Sequence, residues 1–147
     1  MMIRTVRIET QLTSPFLFLA LLLGVCATAH AQKPEQLAQQ SSDAWLSLVD
    51  SCKYADSWQQ AAQLFKAAVT KEQWQSTVGG VRAPLGKMLS RKFKSAQYTK
   101  MLPGAPDGEY VVIQYDTTFE HKQSAVETII PMLDKDGKWR VSGYFIK

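Results

Sequence analysis

The apolar residues of this chain change their period at Gly86, and that change decides the fold class. Between Pro34 and Thr70 they recur at helical spacing: Leu37, Ser41, Trp45, Leu48 and Cys52 form one stripe, and Tyr54, Trp58, Ala61, Phe65 and Val69 form another. The spacing predicts two amphipathic helices with a break near 50–53. A third opens at Thr70-Lys71-Glu72-Gln73, a Thr-x-x-Gln capping box whose side chains satisfy the free amides of a helix start. Trp74, Val78 and Val81 share its apolar face, Gly79-Gly80 weakens it, and Pro84-Leu85-Gly86 stops it. Beyond Gly86 the residues are β-branched and aromatic, separated by turn formers, and they predict strands near 88–100, 109–119, 124–133 and 138–146. Residues 103–108, Pro-Gly-Ala-Pro-Asp-Gly, mark a loop, and Asp134-Lys135-Asp136-Gly137 marks a hairpin turn in which replacing Asp134 is expected to be near neutral.

Short connections make the strands antiparallel neighbours. The expectation is an α+β fold, three N-terminal helices packed on one face of a four-stranded antiparallel meander sheet. In the second strand Val111, Ile113, Tyr115 and Phe119 alternate with Gln114, Asp116 and Thr118, so the first set faces the helices. The third strand is apolar on both faces, Ala125, Ile129 and Leu133 on one and Val126, Ile130 and Met132 on the other, which suits an internal position.

The N-terminus reads as a cleaved export signal rather than as part of the fold. Arg4 and Arg7 precede an uncharged apolar run over 16–25, followed by Ala29-His30-Ala31 with small residues where a signal peptidase reads. That run is shorter than the roughly 20 residues a membrane-crossing helix requires. Cleavage after Ala31 leaves residues 32–147 as one domain, periplasmic or secreted, with no transmembrane segment. The competing reading is lipid anchoring through Cys26, against which stands Val25, where lipoprotein signals place a small residue. The mature chain then has a single cysteine, Cys52, read as a small buried side chain at a helix end, although an oxidising compartment would also permit a disulfide-linked homodimer. The net charge of +4 falls by one without the leader, too modest for a nucleic-acid partner, and Arg91-Lys92-Phe93-Lys94 reads as a solvated strand edge.

Five segments carry a family resemblance: residues 44–50 (AWLSLVD), 54–58 (YADSW), 82–86 with 90–91 (RAPLG and SR), 103–110 (PGAPDGEY) and 139–146 (WRVSGYFI). Over nearly the whole mature chain they resemble the bacterial exported family called domain of unknown function 4019, a resemblance that implies no activity. The order of helices followed by a meander is also similar to the cone-shaped roll of nuclear transport factor 2 and its relatives, a likeness of fold that implies no chemistry.

Chemistry-bearing residues are sparse. The mature chain's one histidine, His121 in a hairpin turn, and one cysteine cannot supply a metal centre, and no phosphate loop, nucleophile motif or cofactor loop occurs. Glu127 stands out, because it lies on the apolar face with Ala125 and Ile129, where an unpaired carboxylate is costly. Arg82 and Arg91, flanking the Pro84-Leu85-Gly86 turn, are its expected partners, as a structural ion pair or as the floor of an anion pocket. Asp56 and Ser57 are expected to cap the second helix. Tyr54, Trp58, Trp74 and Tyr144 are core or rim aromatics on one reading and walls of a ligand pocket on the other. These residues point to a non-enzymatic exported module that holds a small ligand or an envelope partner in the cone between helices and sheet. The alternative is a small periplasmic hydrolase or isomerase with Glu127 or Asp56 as base and Tyr144 or Arg91 polarising the substrate.

Overall fold

The structure, a computed structural model, describes residues 32–147; the expected export signal over 1–31, with Cys26, lies outside the described residues. The elements run α1 (Pro34–Asp50), α2 (Tyr54–Gln60), α3 (Gln63–Ala68), α4 (Lys71–Arg82), a short 3-10 turn (Ala83–Leu85), β1 (Met88–Thr99), β2 (Tyr110–Phe119), β3 (Lys122–Leu133) and β4 (Trp139–Ile146). The class is α+β, and the strands pair antiparallel in the order β1-β2-β3-β4. No helix of the described residues is long and apolar enough to cross a membrane.

Four α-helices replace the three expected, because the second expected helix is interrupted at Ala61 and Ala62. Both are extended, with ψ of 162° and 154°, and both are fully buried. No Gly or Pro marks the break. Its cause is tertiary: the Ala62 amide leaves the helix ladder to donate to the Val141 carbonyl of β4 at 2.8 Å, and only small side chains fit so close to the edge strand.

The buried stripe of α1 is Ala38, Ser42, Trp45, Leu46 and Val49, rotated by about one residue from the expected one; only Trp45 belongs to both. Leu37 is left exposed, and Ser41 reaches across to donate to the Trp139 carbonyl at 2.7 Å. Cys52, expected buried, is exposed and holds the left-handed conformation (φ 58°) that ends α1. Asp56 and Ser57 do not cap α2, whose N-cap is Lys53. Ser57 is instead a buried relay, donating to the Tyr54 carbonyl at 2.8 Å and accepting from Trp74 Nε1 at 2.9 Å. In α4 the Thr70–Gln73 capping box forms with both bonds present. Val81 faces solvent there, and the charged Arg82 occupies the inner position at the end of the helix.

α1 touches all four strands. Its Ala38, Trp45, Leu46 and Val49 share one cluster with Trp74 and Val78 of α4, Val111, Ile113 and Tyr115 of β2, Ile129 of β3 and Val141 of β4. Each aliphatic or aromatic side chain so enclosed contributes about 1.5–3 kcal/mol. β3 lies between β2 and β4, with Tyr115 opposite Glu127 on one side and Ile129 opposite Tyr144 on the other. The β2–β3 hairpin tip is tied to the start of β1: the Glu120 amide donates to Lys87 O at 2.9 Å, His121 to Leu85 O at 3.0 Å, and the Lys87 amide to Glu120 Oε2 at 2.8 Å.

Candidate functional site

Four charged side chains from four elements meet beneath the end of α1. β3 presents Glu127 inward, at the middle of the sheet, where it is wholly buried. The last residue of α4 brings Arg82, β1 brings Arg91, and the last residue of α1 brings Asp50. Arg91 Nε donates to Glu127 Oε2 at 2.6 Å and Nη2 to Oε1 at 3.2 Å, while Nη1 and Nη2 donate to the two oxygens of Asp50 at 2.7 and 3.1 Å. Arg82 Nη2 donates to Asp50 Oδ1 at 2.8 Å, and Nη1 to Glu127 Oε1 at 3.4 Å and to the Tyr144 hydroxyl at 3.1 Å. The Tyr144 and Thr117 hydroxyls complete the shell of Glu127, on Oε1 and Oε2 respectively. Two guanidinium groups face two carboxylates, so the cluster is electroneutral. Such an arrangement offsets the desolvation of its ions only because nearly every donor and acceptor is matched.

Arg82 also lies 4.8 Å from the Phe119 ring centroid, a cation–π contact. Burial works against the charge on Arg91, but the hydrogen bonds to Asp50 and Glu127 outweigh it and raise its pKa. The cluster meets water chiefly at Asp50, 19% exposed, which with Arg82, Cys52 and Tyr54 borders a hollow of about 380 Å³.

The structure thus brings together four of the six side chains that the sequence nominates for a pocket or ion-pair network, Glu127, Arg82, Arg91 and Tyr144. Trp58 is elsewhere, its Nε1 donating to Val69 O at 2.8 Å, and Tyr54 reaches only the hollow, its hydroxyl 3.6 Å from the Cys52 sulfur. Asp56 is exposed in the first turn of α2. Two members of the cluster are absent from that expected set. Thr117 shares the inner face of β2, and Asp50 carries a readable signal: a carboxylate at a helix C-terminus opposes the macrodipole and calls for a cation. Behind Tyr144 the interior is filled by rings, Trp45 to Tyr144 at 5.5 Å, Trp45 to Trp74 at 5.6 Å and Phe65 to Trp74 at 5.1 Å between centroids. A hollow of about 290 Å³ borders Trp74, Val78 and Tyr144 beside these rings.

Burial first, and then the neighbouring Glu127 carboxylate, push the Tyr144 phenol well above its ordinary value; burial and Asp43 do the same to Tyr115. A raised folded-state pKa means that the fold keeps a proton the unfolded chain has lost. Stability is then fully present below about pH 10 and declines as the pH rises beyond it. In urea melts between about pH 9 and pH 11 the wild-type midpoint should fall, and Tyr144→Phe should fall less steeply. Identical slopes would show that Tyr144 keeps no proton on folding.

A second feature lies away from this cluster. A hollow of about 680 Å³ opens between α3, the β1–β2 loop and the β3–β4 turn, lined among others by Leu64, Ala67, Asp107, Leu133, Asp134 and Arg140. Asp134, whose replacement is expected from the turn pattern to be near neutral, is only 8% exposed and paired with Arg140 of β4 at 2.9 Å. Among the described residues no group of His, Cys, Asp and Glu converges as a metal site.

A family model described as protein of unknown function (DUF4019) matches residues 41–144, and the chain belongs to that family. The match includes every member of the charge cluster. No curated protein and no solved structure matches the chain.

Proposed function

We propose that this member of a family without an assigned activity is an exported, non-enzymatic binding module, a rigid scaffold that holds a small ligand or an envelope partner at its surface rather than inside a catalytic cone. The observation that carries this reading is the state of Glu127. Its two oxygens accept five hydrogen bonds from Arg82, Arg91, Tyr144 and Thr117, and its side chain is fully enclosed. A general base needs a free lone pair within reach of its substrate, and this carboxylate presents none; Asp56 stands apart from the charge cluster, exposed in the first turn of α2. The order of helices followed by a meander, with α1 laid across the sheet, supports the comparison with the cone of nuclear transport factor 2, the helices covering one face and leaving the other outward.

Export, to the periplasm or beyond, is supported by the apolar run over 16–25 and by Ala29-His30-Ala31. Core and charge cluster both lie C-terminal to Ala31, so cleavage there leaves the fold whole. Native mass spectrometry of protein purified from its own cell envelope is expected to give an N-terminus at Gln32 and a retained non-covalent mass. Bare protein that hydrolyses or isomerises a substrate, with that activity lost in Glu127→Gln under conditions where the variant is folded, would reverse the assignment; a diacylglycerol on Cys26 would make the protein membrane-anchored.

A further inference from the structure

The 680 Å³ hollow falls within the size range of small-molecule sites, roughly 300–1,000 Å³. Leu64, Ala67, Met132 and Leu133 give it apolar walls, and three carboxylates, Asp107, Asp134 and Asp136, stand at it against two cations, Lys135 and Arg140. Arg140 is not available to an anion. Its Nη1 donates to Asp134 Oδ2 at 2.9 Å and Asp136 Oδ1 at 2.8 Å, and its Nη2 to Asp136 Oδ2 at 2.8 Å.

Asp134 is the telling residue. It is more than nine-tenths buried, yet its Oδ1 accepts no hydrogen bond among the described residues. Ser42 Oγ is the one fully enclosed side-chain polar atom left without a partner there, so Asp134 Oδ1 retains a surface, and the hollow is what Asp134 lines. Asp107, on the loop opposite, is exposed and has no ion pair among the described residues. A carboxylate oxygen without a donor, in a largely desolvated setting beside apolar walls, is where a ligand's N–H gains most. The lining carries one carboxylate more than it has cations, the unpaired one being Asp107, which favours a cationic ligand over an anionic one.

We propose that this hollow binds a small organic cation with an apolar body. An ammonium or amidinium group donates to Asp134 Oδ1 with Asp107 across the opening, and the apolar body lies along Leu64, Met132 and Leu133. This deepens the binding-module reading and rests on it.

The test uses three matched probes, 4-phenylbutylamine, 4-phenylbutan-1-ol and 4-phenylbutanoate, titrated into ¹⁵N-labelled protein comprising residues 32–147. The amine should shift amides of 63–67, 107–110 and 132–136 and bind roughly tenfold or more tightly than the alcohol, as a hydrogen bond to a charged group implies, and the carboxylate should not bind. Asp107→Asn, at an exposed unpaired position that leaves the fold intact, should weaken the amine severalfold and leave the alcohol unchanged. Asp134→Asn should do so more strongly, and Ala67→Trp, which fills the hollow, should remove both. Equal binding of amine and alcohol, preference for the carboxylate, or shifts confined to other residues would overturn the assignment. A natural ligand retained in the native mass spectrum but not displaced by the amine would overturn it while leaving the binding-module reading standing.

Discussion

Glu127→Gln should unfold at a urea concentration about 1 M or more below that of the wild-type protein. The substitution keeps the shape of the side chain but replaces one acceptor oxygen with an amide donor. Whichever way the carboxamide turns, its NH₂ meets donors. On one side are Arg91 Nε and Thr117 Oγ1; on the other are Arg82 Nη1, Arg91 Nη2 and the Tyr144 hydroxyl. Asp50 alone then faces two buried guanidinium groups. Removing one partner from a buried ion cluster costs about 3–5 kcal/mol, because the remaining charge stays enclosed without its counterion. Asp134, although it lies in a turn, is too buried, and tied to Arg140 through its Oδ2, to be the reference substitution. Asp107→Asn serves instead, expected within about 0.5 kcal/mol of wild type. A Glu127→Gln protein that melts with this reference would mean that the cluster holds nothing together.

Gly86→Ala is the second large effect, for two separable reasons. Gly86 sits at φ 73° and ψ −160°, a region open essentially to glycine alone, where another residue costs about 1–3 kcal/mol. A Cβ there would also lie 2.6 Å from Glu120 Oε2 and 2.9 Å from Glu120 Cβ. The same Glu120 carboxylate accepts the Lys87 amide, so making room breaks the tie between the hairpin tip and β1 and adds about 1–3 kcal/mol of overpacking strain. Gly104→Ala supplies a comparison at positive φ without a close contact, since Gly104 has φ 79° and open space where its Cβ would go. Gly86→Ala should be clearly the worse of the two, and adding Glu120→Ala should recover part of the difference. Equal losses at the two glycines would dismiss the close approach.

How much of this is legible in the sequence follows from where each determinant lies. The strands are legible within a residue or two because local chemistry fixes their ends: the 103–108 loop, the Asp134–Gly137 turn and the Thr70–Gln73 box act over a few residues. The rotation of α1 is not, because the large residues Leu37 and Leu48 dominate its apparent stripe, whereas docking on the sheet favours the small Ala38 and Ser42, which let the helix approach. The break at Ala61-Ala62 leaves no local trace, since a single bond to a strand 79 residues further on causes it. For the charge cluster, strand alternation places Glu127 inside and so calls for the arginines. Asp50 is legible only through the helix break it precedes, as a carboxylate at a helix C-terminus that calls for a cation. The 680 Å³ hollow has no signature at all, being assembled from three segments that pattern cannot bring together.

The contact of α1 with every strand bears on the order in which the chain can become a protein. Ser41 bonds to Trp139 across 98 residues, and Arg82 to Tyr144 across 62. The first helix to be made is thus held by the last strand to arrive, and no early segment encloses its own apolar face. Closing loops of that length before the contacts reward it slows folding. The delay acts as a safety catch: collapse waits for the C-terminus, and a truncation that removes β4 would leave part of the α1 stripe exposed, a substrate for proteases rather than a smaller version of the fold.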